Sequence, residues 1–157
     1  MNLIVLFVFK RGSLLKSTVH SGNVQVGDRY LATPSDTAIL QRPPAAEKEI
    51  QEYWKSWAST CQRNDTPAIV QISHPGRQSP FWSGHRNFFT KTIAPSPVQL
   101  NFGSSFIERC AVSFVFGTPR ELRTEEISGK GGIIDQYIAA AKVSFDAGFK
   151  GVQLHGA

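Results

Sequence analysis

Three stretches of the chain combine a run of apolar or β-branched residues with a polar end, which is the pattern of short β-strands. Residues 18–26 carry β-branched side chains and a central glycine, and residues 68–72 are apolar apart from Gln71 and are followed by a polar end. Residues 148–157 begin with a glycine turn, continue as an apolar run and reach His155 near their end. Since each run is short and bounded by turn residues, we predict a buried strand at each place.

The pattern between these strands predicts a first helix over residues 45–63. Large apolar side chains recur there at intervals of four, three and four residues and form one face. The members of this face are Ile50, Trp54, Trp57 and Cys61. A crossover helix buries such a face against the sheet, so we predict that the aromatic stripe is core and not a cofactor site.

A second helix is predicted to begin at Thr124, whose hydroxyl is able to cap it, and to end at Gly148. The apolar spacing predicts a buried face made of Ile127, Ile134, Ile138, Ala141 and Phe145. Glycines at positions 129, 131 and 132 lie within the first turns. Because each costs roughly 1 kcal/mol relative to alanine inside a helix, we expect these turns to fray.

Residues 79–120 are rich in glycine, proline, serine and aromatic residues and have weak periodicity. We predict a long loop excursion, and a loop of this length in a compact domain is usually functional. His85 and Arg86 are therefore candidate ligand contacts, with an ordinary surface position as the alternative. The order strand, helix, strand, loop, helix, strand predicts a parallel sheet with right-handed crossovers.

Residues 1–17 form an atypical start. Their apolar run, residues 3–9, is shorter than the roughly 20 residues that a membrane-spanning helix needs. Basic residues follow this run instead of preceding it, so we expect neither a membrane segment nor a signal peptide. The alternative interpretation of residues 3–9 is a buried strand.

Composition narrows the classes of function. The formal net charge is +5, with Lys and Arg scattered along the chain. Because aromatic and basic residues do not interleave, this charge indicates a mildly basic surface and no nucleic-acid partner. Cys61 and Cys110 lack the spacing of metal ligands, so we expect no metal site. Free thiols indicate a reducing compartment, and we expect a cytoplasmic protein with no membrane partner.

The polar residues near the strand ends are the candidates for chemistry, because the carboxyl ends of parallel strands face the ligand crevice of α/β sheets. The amide of Gln71 offers an acceptor and donors, which suits a planar ligand edge that alternates N–H and C=O. Gly22 is either a glycine that lets a ligand approach the backbone or a bulge glycine. For Gln71 and His155 the alternatives are a structural amide and a structural imidazole.

Five stretches together resemble a known family. They read QISHPGRQ, AGFKGVQLHGA, SGNVQVGDRYLATPSDTAIL, KTIAPSPVQLN and FGTPRELRTEEI. Over residues 19–157 the chain resembles the old yellow enzyme family, the NADH:flavin oxidoreductases that carry FMN on a TIM barrel. His74 and Arg77 also match a loop of this family, but neither is assigned to the site.

The resemblance implies an α/β fold: a partial TIM (β/α)8 barrel of parallel strands with crossover helices, missing the first strand and the second half. Residues 1–157 would form a single incomplete domain, since a complete barrel takes roughly 250 residues. FMN is the implied cofactor, bound by Gln71 and Gly22, and NADH or NADPH is the implied reductant. His155 is the implied catalytic residue, which would donate a hydrogen bond to the carbonyl oxygen of an electron-poor alkene. The partner is thus a small-molecule substrate, and the oligomeric state is left open.

The chain also departs from the family pattern. It stops before the family's second substrate-binding residue and the Gly-Tyr that follows, so we expect it to be inactive as an isolated fragment. The alternative is a non-catalytic truncated remnant, or a gene-model fragment, that binds no flavin. A small α/β module for another phosphorylated ligand is disfavoured because the sequence lacks a glycine-rich nucleotide fingerprint and a P-loop. A serine or cysteine hydrolase is disfavoured because the sequence lacks GxSxG.

Overall fold

The computed structural model describes residues 4–9, 18–39, 44–87, 89–102 and 105–156. Over this part of the chain, strands and helices alternate. The strands are β1 (Ile4–Phe9), β2 (Val19–Gln25), β3 (Thr37–Ala38), β4 (Ala68–Ser73), β5 (Ile93–Ala94), β6 (Arg120–Glu121) and β7 (Gly151–Gly156). The α-helices are α1 (Pro44–Cys61), α2 (Phe106–Phe116), α3 (Thr124–Ser128) and α4 (Ile133–Asp146).

Five strands form one sheet in the order β1-β7-β4-β2-β3. β4 pairs in parallel with both β2 and β7, and β3 pairs in parallel with β2. The predicted parallel sheet with crossover helices is therefore present, as in part of a TIM barrel. The three predicted strands are confirmed, and β4 continues two residues beyond Gln71.

β1 is an exception to the parallel order, because it pairs antiparallel with β7 from Ile4↔Gly156 to Phe9↔Gly151. The apolar pattern of residues 3–9 indicates a strand but not its partner or its direction, so the sequence does not predict this pairing. Antiparallel pairing satisfies backbone groups along the edge of β7 without a crossover helix. The other residues of the atypical start, 1–3 and 10–17, lie outside the described residues, as does Ala157.

The hydrophobic core lies between one face of the sheet and the helices α1 and α4. The strand residues that face these helices alternate along β2, β4 and β7, as the two-residue period of a strand requires. They are Val24, Ala68, Val70, Ile72 and Val152, all at most 2% exposed. On the helix side, Trp54 packs against Phe149 with 6.3 Å between ring centroids. The predicted apolar face of α1 is confirmed, since its members are buried or pack against the core.

The second predicted helix is broken into α3 and α4 by residues 129–132. The break results from the backbone conformation of the glycines in this turn. A Cβ on Gly129 would lie 2.3 Å from the carbonyl oxygen of Glu125, and Gly131 has a φ of +75°. The expected fraying is therefore an ordered turn that only glycine accommodates easily. Arg123, and not Thr124, is the N-cap residue of α3.

The predicted buried face is partly wrong, because the face of α4 that is buried is centred on other positions than the predicted ones. Ile127, Ile134 and Ile138 are 38%, 48% and 61% exposed. The buried residues of α4 are Ala140 and Ser144. The other two predicted residues, at positions 141 and 145, do pack against the core.

The segment 79–120 is not entirely loop, because it contains α2 and the two-stranded parallel pair of β5 and β6. A capping box starts α2: Ser105 Oγ accepts the N–H of Glu108, and the Glu108 carboxylate accepts the N–H of Ser105. None of its residues is fully buried, and Phe106 and Ile107 are 82% and 79% exposed, so no amphipathic pattern predicts it. In the described ranges of the chain, no helix has both the length and the apolarity to cross a membrane.

Candidate functional site

The face of the sheet opposite the helices is polar near the strand ends. On β4 and β7, the residues that alternate with the core residues include Gln71, Ser73, Gln153 and His155. The register places Gln71 opposite Gln153. Because side chains alternate between the faces of a strand, His155 lies on the same face, two residues further along β7. Ligand sites of parallel α/β sheets use such polar side chains at the carboxyl ends of strands.

Three side chains on this face form a hydrogen-bonded group, here named the amide cluster: His20, Gln71 and Gln153. Nε2 of Gln71 donates to Oε1 of Gln153 over 3.0 Å. Nδ1 of His20 lies 3.2 Å from the same oxygen, and its Nε2 lies 2.9 Å from Oγ1 of Thr18. Gln153 is only 8% exposed, so its amide needs these partners.

β2 carries a bulge next to Gln71. The register between β2 and β4 shifts between His20 and Asn23, and the hydroxyl of Ser21 accepts the backbone N–H of Gln71 over 2.9 Å. Gly22 lies in this bulge, which agrees with the bulge interpretation. A Cβ built on Gly22 would meet nothing within 4 Å, so open space lies beside its backbone. That space also leaves room for a ligand to approach closely.

The structure brings the three predicted site residues onto adjacent strands. Gly22 lies on β2, Gln71 on β4 and His155 on β7, and β4 lies between the other two strands. Gln71 and His155 are therefore on neighbouring elements and the same face, which a shared site requires. They differ in one respect: His155 lines a cavity at the strand ends, and Gln71 is not among the residues that line it.

This strand-end cavity has a volume of about 590 Å³ and lies over the carboxyl ends of β4 and β7. Its polar lining includes His74, Arg77, Tyr137 and His155. Arg77 donates to the carbonyl of Val98 over 2.8 Å, so it holds the shape of the surrounding loops. A cavity of this size accommodates a small organic molecule.

His74 is a neutral imidazole in this wall. Its Nδ1 accepts the backbone N–H of Gly76 over 3.0 Å, and its ring centroid lies 5.7 Å from that of Tyr30. Burial lowers the pKa of His74 to about 4. Burial also raises the pKa of Tyr137, and a hydrogen bond with the His74 backbone offsets part of that rise. Both side chains are therefore uncharged at neutral pH.

A second polar group lies further along the same face. Ser73 Oγ donates to Oε1 of Gln25 over 3.1 Å, and Nε2 of Gln25 donates to Oδ2 of Asp36 over 2.9 Å. Burial raises the pKa of Asp36, but hydrogen bonds from Thr33, Ala32 and Gln25 outweigh burial and hold this pKa below its usual value. Protein groups thus bond both ends of the Gln25 amide, which makes that amide structural.

A second cavity, of about 330 Å³, lies on the other side of His74 and has charged walls. Arg120 donates to Oε2 of Glu126 over 2.7 Å. This hydrogen bond lowers the pKa of Glu126 to about 2 and raises the pKa of Arg120. Arg29 and Lys130 also line the cavity, but none of the three predicted site residues does.

His85 and Arg86, the candidates in the segment 79–120, contact protein groups. Nδ1 of His85 lies 3.1 Å from Oδ2 of Asp28. Arg86 donates to the carbonyl of Thr90 over 2.7 Å and to that of Ser79 over 2.9 Å. Burial lowers the pKa of Arg86. These contacts give both residues a structural part in the segment.

Sequence reasoning missed two members of the amide cluster, Gln153 and His20. Gln153 interrupts an apolar run in β7 just as Gln71 interrupts one in β4. That repeated pattern is the signal that could have identified it, because two lone amides in adjacent buried strands can bond to each other. His20 carries no comparable signal, since its position depends on the bulge.

The donor and acceptor groups of this face suit an organic ligand. Within the described part of the chain, no group of three or more His, Cys, Asp or Glu side chains could hold a metal ion. Besides its bond to Gln153, the Gln71 amide has a carbonyl oxygen and a second N–H. A neighbouring donor and acceptor of this kind match a planar ring edge that carries C=O and N–H groups.

Comparisons with known proteins agree with this geometry. No family model matches the chain. The chain is 40% identical over 139 residues to the NADH-dependent flavin oxidoreductase iliE of Hypocrea jecorina, a match that covers 88% of the chain and 33% of that protein. It is 39% identical over 137 residues to the NADH-dependent flavin oxidoreductase iccE of Talaromyces variabilis, covering 87% of the chain and 32% of that protein. It is 28% identical over 137 residues to 12-oxophytodienoate reductase 1 of Oryza sativa, covering 87% of the chain and 33% of that protein.

The parallel sheet and its crossover helices define an α/β fold of the kind found in part of a TIM barrel, and these relatives are named as flavin oxidoreductases or reductases. Along the matched residues, the chain is similar to proteins of the old yellow enzyme family, as its motifs predict. It spans about a third of the length of the curated relatives that it matches, 33% in the case of iliE.

Proposed function

We propose that the polar face of β2, β4 and β7 is the FMN-binding face of an NAD(P)H-dependent flavin oxidoreductase that reduces electron-poor alkenes. The observation that carries the proposal is the placement of Gln71 and His155 on adjacent strands and the same face of the sheet. The names of the relatives, NADH-dependent flavin oxidoreductase and 12-oxophytodienoate reductase, support flavin chemistry with NADH. NADPH is the alternative reductant.

The residues of this face fit a flavin. The pyrimidine edge of a flavin alternates C=O and N–H groups, and the Gln71 amide offers the complementary donor and acceptor. Open space beside Gly22 allows a ring to approach the backbone of β2. Gln71 and Gly22 would hold FMN, which supplies the electron chemistry of hydride transfer when bound.

His155 would bind the substrate. It is half-buried and lines the strand-end cavity, where a small molecule has access to it. An imidazole N–H is a suitable donor to the carbonyl oxygen of an α,β-unsaturated substrate. Such a bond stabilises the negative charge that develops on this oxygen during reduction, which makes His155 the proposed catalytic residue.

The chain covers 33% of the length of the first relative, so the proposed role concerns the part of a barrel domain that these strands form. The second candidate is a non-catalytic remnant that binds no flavin. Its supporting observation is that Gln71 does not line the strand-end cavity. A reducing, cytoplasmic location is also proposed, because Cys61 and Cys110 are free thiols.

The test is a titration of the purified chain with FMN, followed by quenching of flavin fluorescence. We expect saturable binding that Gln71→Leu weakens on the order of tenfold, because a hydrogen-bonding amide is lost. The matched control is Gln51→Leu, the same substitution at an exposed position of α1, which should leave the affinity unchanged. Equal affinities of wild type and Gln71→Leu would refute the proposed site, and a lack of FMN binding by all three proteins would favour the remnant.

A further inference from the structure

We propose that Gln153, supported by His20, is a positioning residue that fixes the orientation of the Gln71 amide. In this role Gln153 makes Gln71 present its carbonyl oxygen and one N–H to the ligand, in one defined order. The inference rests on the proposed function for the identity of the ligand. The orientation itself is a property of the ligand-free chain.

The hydrogen bonds around Gln153 couple its orientation to that of the Gln71 amide. Its Oε1 receives Nε2 of Gln71 over 3.0 Å and faces Nδ1 of His20 at 3.2 Å, so both lone pairs of this oxygen are occupied. If the Gln71 amide rotated by half a turn, two carbonyl oxygens would face each other. Since Gln153 is 8% exposed, water cannot readily separate them.

His20 sets the direction of this chain of hydrogen bonds. Its Nε2 lies 2.9 Å from Oγ1 of Thr18, whose hydroxyl is able to donate a proton to that nitrogen. In the tautomer that matches this orientation of Gln153, Nδ1 carries the hydrogen and donates it to Oε1, which is a pure acceptor. In this chain of hydrogen bonds, the Thr18 hydroxyl donates to His20 and His20 donates to the side-chain oxygen of Gln153. The same oxygen accepts the hydrogen bond from Gln71.

The bulge of β2 supports the same orientation from the backbone. Ser21 Oγ accepts the backbone N–H of Gln71 over 2.9 Å and donates to the carbonyl of Gly22 over 2.8 Å. Both the main chain and the side chain of Gln71 are thus held before any ligand arrives. Such preorganisation raises affinity because less freedom is lost on binding.

The contrast with Gln25 shows what distinguishes the role of Gln71. Both oxygen and nitrogen of the Gln25 amide bond to protein groups, Ser73 and Asp36. In Gln71 the bonded group is Nε2 alone, within the described residues, so the oriented amide keeps an acceptor and a donor for a ligand.

The experiment compares Gln153→Met, which removes the acceptor, with Gln153→Glu, which retains an acceptor oxygen. The first measurement is the hydrogen-exchange rate of the Gln71 side-chain NH2 by NMR in the ligand-free protein, with Gln71→Leu used to assign its signals. We expect exchange on the order of tenfold faster in Gln153→Met and near the wild-type rate in Gln153→Glu, as one hydrogen bond is lost or kept. Gln25→Met, which removes a buried amide elsewhere on the face, is the matched control and should leave the Gln71 signals unchanged.

The second measurement is FMN affinity. Gln153→Met should weaken it on the order of tenfold, while Gln153→Glu should restore most of the loss. Because His20 is exposed, His20→Ala is expected to keep the fold and to give an intermediate loss of FMN affinity. This variant takes the place of Gln153→Met if Gln153→Met does not fold.

Unchanged Gln71 exchange in Gln153→Met, or in His20→Ala if the first variant does not fold, would overturn the positioning role. Faster exchange combined with unchanged FMN affinity would also overturn it, because orientation would then be irrelevant to the ligand. If the wild type binds no FMN while the exchange effects appear, the positioning of Gln71 stands and the flavin assignment fails.

Discussion

At the residue scale, the candidate site depends on which polar side-chain atoms have hydrogen-bonding capacity for a ligand after their bonds to other protein groups are formed. The lone amide of Gln71 in an apolar strand is visible in the sequence. Its bond to Gln153 is not, because the partner lies 82 positions away and is chosen by the register between β4 and β7. The sequence could therefore predict a polar residue at the strand end but not the amide cluster that holds it.

Gly22→Ala is predicted to keep the fold and weaken flavin binding. The added Cβ meets nothing within 4 Å, so stability should change by less than about 0.5 kcal/mol. The methyl group would occupy space that the proposed ligand uses. Urea unfolding and FMN titration of the same variant measure the two effects separately.

Gly84→Ala is the matched control for this substitution. Gly84 has a φ of +83°, and its Cβ would lie 2.4 Å from the carbonyl oxygen of Arg29. We expect a loss of more than about 1 kcal/mol of stability from strain alone. FMN affinity in Gly22→Ala equal to that of the wild type would argue against close approach of a flavin to β2.

His74 predicts a pH dependence of stability. Burial lowers its pKa in the folded chain to about 4, from an ordinary value of 6.5, so the unfolded chain binds more protons between these values. Stability should therefore fall as pH decreases from about 6.5 toward 4, by at most about 3 kcal/mol and less where water reaches the ring. Urea unfolding at pH 7, 6 and 5 measures this change.

His74→Asn is the variant for comparison, because its side-chain oxygen can still accept the Gly76 N–H but does not titrate in this range. The difference in stability between wild type and variant should shrink or reverse as pH falls. A difference that is constant from pH 7 to pH 5 would show that His74 is not a neutral buried imidazole.

At the element scale, strands were predicted better than helices. The boundaries of β4 and β7 follow from short apolar runs with glycine or proline turns, signals that are local in the chain. The turn at Gly129 and Gly131 separates α3 from α4, and which face of α4 meets the sheet is set by tertiary packing and not by spacing alone. The buried positions of α4 are Ala140 and Ser144, and Ile134 and Ile138 are exposed, although their spacing fits an apolar face.

Trp54→Ala is predicted to destabilise the chain by about 3–5 kcal/mol, because a large buried side chain leaves a cavity. Trp54 is 7% exposed and contacts the rings of Trp57 and Phe149 at 5.2 and 6.3 Å. Tyr53→Ala, at a neighbouring position that is 67% exposed, should change stability by about 0.5 kcal/mol or less. Similar unfolding midpoints for the two variants would contradict the packing of α1 on the sheet.

At the scale of the whole molecule, the described residues form a mainly parallel sheet with helices on one face and a polar group of residues on the other. β1 occupies the edge of β7 at which a parallel barrel would continue with its next strand, and it does so in the opposite direction. Pairing between β1 and β7 joins positions 152 residues apart, as in Ile4↔Gly156, and no local pattern encodes it. Fold class and family were thus predictable from motifs, whereas the edge pairing was not.

The most direct test of the proposed flavin-binding face is an NMR titration of the isotope-labelled chain with FMN, which maps the backbone amides that shift. The proposed site predicts shifts concentrated around Gly22, Gln71 and His155, with little change at Arg29 and Lys130 in the second cavity. Shifts concentrated at the second cavity, or no shifts at saturating FMN, would contradict it.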